Sequence, residues 1–264
     1  MARGSIFDLT DKTTYHSYSE LVDQPDTVTP NGIFDVSFTN FTYESLTPDS
    51  YNTMHTYAKT PFYTYNLTWE ATSETILNWG GNNWTIGTGV TVEWGLPACK
   101  TQGEFSIGDG APLRVDPARS FTWYDRQQVT GVPRNWTWFE LHFPGSHTKA
   151  SIWAIDDFDA SEERFATFRT SSGTRLVPWT LITDPQSIWV SPKSNVTYYT
   201  RWTADFGNGN RLDITSVKTD QEIFGSANVS ALNAYEGFVE ARGMWDGVKY
   251  DDVYGLVEQV TFGA

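Results

Sequence analysis

The chain has 264 residues, a net charge of −14, one cysteine, and 12 Trp, 13 Tyr and 16 Phe. The acidic balance excludes a nucleic-acid or anionic-membrane surface, which needs clustered Lys and Arg. A single Cys99 excludes an internal disulfide framework, and no apolar run reaches the length of a membrane-spanning helix, so no membrane insertion is expected.

The opening MARGS resembles a vector-derived leader, and the first 60 residues are polar, with QPD, TPNG and TPDS marking loops. Short strands are expected at 33–38 and 62–70. From Thr75 onward the signal becomes regular, with strands at 85–94, 100–107, 120–126, 137–143 and 150–156. Each alternates large apolar residues with Thr, Ser or charge and ends in Gly, Pro, Asn or Asp. The polar segment 159–174 carries a Ser/Gly cluster and room for one helical turn. It is the expected boundary, giving domains at 1–165 and 166–264. A second series follows at 176–182, 188–190, 197–206, 211–218, 235–243 and 254–262, with hairpin turns in GNGN (207–210) and WDG (245–247). Two successive antiparallel series predict an all-β protein, either two barrels or a barrel and a sandwich.

Asn-X-Ser/Thr triplets occur at Asn40, Asn66, Asn83, Asn135, Asn195 and Asn228, where the composition predicts about three by chance. The excess leads us to expect a protein of the secretory pathway or the cell exterior, N-glycosylated at these sites; its targeting segment would then have been removed.

The four histidines, His16, His55, His142 and His147, are scattered and lack metal-ligand spacing, so no metal is expected. No phosphate loop or nucleophile elbow is present, and no cofactor is expected. What remains is a set of carboxylates and amides among aromatics: Glu93-Trp94, Asp125-Arg126-Gln127, Asp220-Gln221-Glu222, Tyr235-Glu236 and Glu258-Gln259. Desolvation disfavours the charged form of such a carboxylate and suits it to proton transfer, while a neighbouring Arg works the other way. Each is therefore either an ion pair closing a strand end or a group that lines a cavity. In WYDRQ (123–127), three polar groups and two aromatics cannot all be absorbed by one strand face. The candidate catalytic residues are Asp125, Tyr124, Gln127 and Glu222. Trp94, Trp123, Arg126, Trp138, Trp202 and Glu236 are the candidate substrate-binding residues.

TWYDRQ (122–127), NWTWFELHF (135–143) and ASIWAIDD (150–157) resemble the first-barrel signature of the hydroxyneurosporene synthase/AttH-like superfamily. YYTRW (198–202), LDITSVKTDQE (212–222), YEGFVEARG (235–243) and YGLVEQV (254–260) are similar to its second. The nearest likeness is to the secreted fungal branch of kievitone hydratase-like proteins and related cyclases. The resemblance implies two consecutive lipocalin-like β-barrels with a hydrophobic pocket at their junction. It implies a cofactor-free lyase or cyclase of secondary metabolism that hydrates or dehydrates a hydrophobic oxygenated small molecule, or closes a ring by a Diels–Alder step. It also implies about a hundred further residues ahead of Ile6, beyond ordinary domain size. The protein is then naturally short, or a missing N-terminal segment or second chain completes the first barrel. Two rivals share the composition: a lipocalin-type carrier of a hydrophobic ligand without catalysis, and a secreted carbohydrate-active or carbohydrate-binding β-protein.

Overall fold

The computed structural model describes residues 1–22, the backbone of 27–28, and residues 32–262. The loop expected at QPD and most of TPNG lie outside the described residues. Among the described residues there is no α-helix, as the dense Thr, Val, Trp and Tyr content predicts. The chain forms two compact units, residues 1–75 with 95–125, and residues 76–94 with 126–264.

In the first unit, β1 (Ala2–Phe7) and β2 (Tyr15–Glu20) form a hairpin. Residues that read as a leader are thus a paired strand, with Ala2 buried against Phe41, Ala58 and Tyr63. A meander follows through β3 (Thr27–Val28), β4 (Asp35–Ser37), β5 (Phe41–Ser45), β6 (Thr53–Lys59) and β7 (Tyr63–Glu70). Two short strands, β8 (Ile76–Leu77) and β9 (Trp84–Ile86), belong to the second unit. Strand β10 (Gly89–Ile107) is continuous through GLPA, where the sequence predicts a break at Pro97. It pairs with β7, β11 (Leu113–Arg114) and β12 (Phe121–Val129).

The second unit is a closed barrel. Its strands are β13 (Asn135–His142), β14 (Lys149–Asp156), β15 (Glu162–Thr170), β16 (Gly173–Pro178) and β17 (Thr180–Thr183), followed by β18 (Ile188–Val190) and β19 (Thr197–Tyr199), a separate hairpin. Then come β20 (Arg201–Gly207), β21 (Asn210–Ser216), the short β22 (Glu222–Ile223), β23 (Ala234–Trp245) and β24 (Val248–Thr261). The paired order runs β16-β15-β14-β13-β24-β23-β21-β20-β17. Because only Trp179 separates β16 from β17, the two ends of that order are one bent strand. The result is an antiparallel, up-and-down barrel of eight staves, the size whose interior side chains can fill. Phe139, Leu141, Ile152, Phe168, Trp202 and Val257 are among those that fill it.

The boundary expected between residues 165 and 166 falls in the middle of β15, which pairs with β14 on one side and β16 on the other. The Ser/Gly cluster that suggested a linker is the turn between β15 and β16, where Gly173 takes a φ of 121°. No helical turn forms there.

Candidate active site

Side chains of a strand alternate between its two faces. In β13 this sends Phe139 and Leu141 into the barrel core and Trp138, Glu140 and His142 to the outer face. An outer face ordinarily meets solvent, yet Glu140 is 6% exposed and His142 2%. Register extends the patch over three further strands. Trp138 lies opposite Trp153 of β14, and Glu140 opposite Ser151; His142 faces Lys149 on one side and Tyr254 of β24 on the other. Ser151 and its partner Thr167 of β15 are fully buried.

The aromatics fix the row above the carboxyl. The Trp138 indole N–H donates to Ser151 Oγ at 2.9 Å, and its ring sits 5.9 Å from that of Trp153. Trp84, Ile86 and Phe165 close around Trp153. Trp84 is in register with Thr91 of β10, so Glu93, two residues on, shares its face. Glu93 is buried and accepts a 2.6 Å hydrogen bond from Asn78 Nδ2.

His142 stacks on Tyr254 with ring centroids 5.4 Å apart. Burial, reinforced by the nearby Lys149 ammonium, pushes its pKa down to about 3. The ring is therefore neutral across the physiological range and presents one N–H donor and one lone-pair acceptor. Burial also lowers the pKa of Lys149. Glu140 and His142 are two residues apart on one face, about 7 Å along the strand. That span accommodates a hydrogen bond at each end with a short C–C–O unit between.

The residues expected from the sequence fall in several places. In the first unit, Tyr124 packs on Trp69 at 4.3 Å between centroids. Trp123 and Asp125 are half-buried beside Gly95, where an added Cβ would come within 3.3 Å of the indole nitrogen and 3.5 Å of the Asp125 Cβ. In the second unit, Arg126 lies 6.0 Å from the Trp94 ring, and Gln127 is exposed. Trp202 is a core residue of the barrel, edge-on to Phe139, rather than a cavity wall. Glu236 is cross-strand from Glu258, which accepts the Trp136 indole N–H at 3.0 Å. Glu222 is 3% exposed and accepts hydroxyls from Ser191 (2.6 Å), Ser194 and Tyr198 (3.0 Å), which pin the 191–198 turn to β22. Of the sequence candidates, only Trp138 joins the buried outer-face cluster. Glu140 and His142 were missed, although the alternation in NWTWFELHF already put both on one face with two tryptophans.

Among the described residues, no three His, Cys, Asp or Glu side chains are grouped to hold a metal ion.

The chain is 38% identical over 223 residues to kievitone hydratase of Fusarium solani subsp. phaseoli, and 34% identical over 224 residues to dehydratase asqC of Emericella nidulans. These matches cover 82% and 83% of this chain but 62% and 64% of the relatives, so it spans less than two thirds of their length. The crystal structure of kievitone hydratase from Nectria haematococca superposes with a TM-score of 0.90 at 32% identity, over 99% of this chain and 79% of that one. The chain belongs to the kievitone hydratase family. A structure of an AttH-type protein from Nitrosomonas europaea shares the fold at a TM-score of 0.69 and 19% identity, over 87% of this chain and 70% of that one. No family model matches the chain. Family membership agrees with the all-β, lipocalin-like architecture built above.

Proposed function

We propose that this protein is a lyase that adds water to, or removes it from, a hydrophobic oxygenated small molecule. The observation that carries the reading is the pair of relatives, one named a hydratase and the other a dehydratase, which are two directions of one reaction class. Both directions are redox-neutral and need only a proton donor, a proton acceptor and a held substrate.

The outer-face cluster can supply these. In the dehydrating direction a C–H proton leaves one carbon and hydroxide leaves its neighbour, the electron pair of the C–H bond becoming the new C=C bond. Glu140 carries the proton from carbon to the departing hydroxyl, which leaves as water. His142, neutral, donates its N–H to a substrate oxygen as charge builds there, and needs no proton of its own. Trp138 and Trp153 supply apolar surface against which a ring can lie. Hydration is the same sequence reversed. A ring closure of the Diels–Alder type is the natural extension where water loss creates a diene, since it asks only that the reacting ends be held together.

Asp125 of the first unit, the strongest candidate from sequence, is ranked against Glu140 by one assay. Glu140→Gln is expected to cost the larger factor in rate.

Incubation with kievitone, followed by mass spectrometry in water labelled with heavy oxygen, tests the reading. Gain of one labelled water, or loss of one from the hydrated product, is the expected result. An unchanged substrate in both directions, with kievitone and with a panel of β-hydroxy ketones, would overturn it.

A further inference from the structure

The inner face of the same barrel carries a second site. At one end of the barrel, above Trp179, the packed core stops and a cavity of about 540 Å³ opens, within the usual range for a small-molecule pocket. Its wall is formed by residues whose neighbours in β13 face the other way. Asn135 and Thr137 point in, while Trp138 and Glu140 point out. Occupants of this cavity and of the outer-face cluster would be separated by the thickness of the sheet.

Some groups of the lining are held by the protein, and others, among the described residues, have no partner. Asn135 is in register with Thr261, and Thr137 with Gln259. Gln259 is spoken for, its amide exchanging two hydrogen bonds with the Tyr199 backbone at 3.1 and 3.0 Å. By contrast, among the described residues the side chains of Asn135, Thr137, Thr261 and Thr197 and the Tyr199 hydroxyl have no hydrogen-bond partner. Trp179 is fixed from behind by donating its N–H to the Trp153 carbonyl at 3.0 Å, which leaves its ring as an apolar wall. The charged groups are already paired: Arg164 binds Asp156 and lies 3.3 Å from Glu162. Arg134 lies 3.9 Å from Asp156 as well, so both guanidiniums are engaged by carboxylates and neither is left over to hold an anion.

A compact, neutral ligand with hydroxyls around its rim and a C–H face for an indole meets all of these terms. We propose that the barrel mouth of the second unit binds a neutral sugar ring, as a free saccharide or as the glycosyl group of a larger molecule. Unpaired hydroxyls and amides bond its rim, and Trp179 receives its apolar face. This site is independent of the proposed lyase chemistry, and its test does not use that activity.

Protein from a bacterial host, free of N-glycans, is titrated with methyl glucoside, N-acetylglucosamine and glucuronate at millimolar concentrations, read by saturation-transfer NMR and by tryptophan fluorescence. The expected result is transfer to a neutral sugar and none to glucuronate. The Thr137→Val, Thr261→Val double variant, isosteric at both positions, is expected to weaken binding about tenfold with an unchanged melting temperature. Asn135→Leu supplies a second variant should the first fail to fold, with the same loss expected. Absence of transfer to either neutral sugar, glucuronate binding as well as they do, or folded variants binding as tightly as the parent would each overturn the proposal.

Discussion

His142 shows how a fold changes the meaning of a residue. As one of four scattered histidines it fits no metal pattern, and alternation puts it on the outer face of its strand, which ordinarily meets solvent. In the barrel it lies 2% exposed with its pKa near 3, against 6.5 for an ordinary imidazole. The sign of the consequence follows from which state takes up the proton. Below pH 6.5 the unfolded chain protonates this ring while the folded chain does not, so stability falls as pH falls. The loss is up to about 1.4 kcal/mol per pH unit until the folded pKa near 3 is reached; above 6.5 the group contributes none. Urea unfolding from neutral pH down to mildly acidic pH should therefore show a steeper loss for the wild type than for His142→Gln. Equal slopes in the two proteins would mean the ring is not held neutral. Glu222 illustrates a carboxylate with a structural task. Its acid-amide surroundings looked like chemistry in the sequence, but three hydroxyls surround the carboxylate and bind a turn in place.

Most strands were legible because alternation is a local property. WTWFELHF, YEGFVEARG and YGLVEQV each display two faces, and each is a barrel stave. What alternation cannot show is which outer faces become buried, and so it hid Glu140. It also failed at β15, where Glu162, Glu163, Arg164 and Arg169 made a core strand look like a linker, although Phe165, Ala166 and Phe168 are buried. Long strands were split at Pro97 because proline is a usual strand breaker. The closing pair of the barrel, β13 with β24, depends on close backbone approach at Gly255. A Cβ there would stand 1.8 Å from the Glu140 carbonyl oxygen. Gly255→Ala should force the two strands apart directly beneath the outer-face cluster, at a cost of about 1–3 kcal/mol. Thermal unfolding checks this, and an unchanged melting temperature would show that the pair is looser than the geometry indicates.

For the whole molecule, we propose passage through the secretory pathway, on the excess of glycosylation triplets. Asn66, Asn83, Asn195 and Asn228 are exposed. Asn40 instead donates its amide to Glu20 and Tyr18, and Asn135 lines the barrel mouth. Secretion from a eukaryotic host should therefore give glycopeptides chiefly at the four exposed sites; a chain whose mass is unmoved by endoglycosidase would contradict it. The proposed chemistry depends on the buried pair at the outer face of the barrel, Glu140 and His142. The most direct test is kcat/KM, on whichever substrate gains or loses water in the labelled-water assay, for the wild type, Glu140→Gln and His142→Gln, each with its melting temperature and across pH. The expected result is a loss of about 10²–10⁴ in Glu140→Gln and about 10²–10³ in His142→Gln, in proteins that remain folded, with no wild-type rate change near pH 6.5 that the His142 variant abolishes. Folded variants that turn over as fast as the wild type would contradict it.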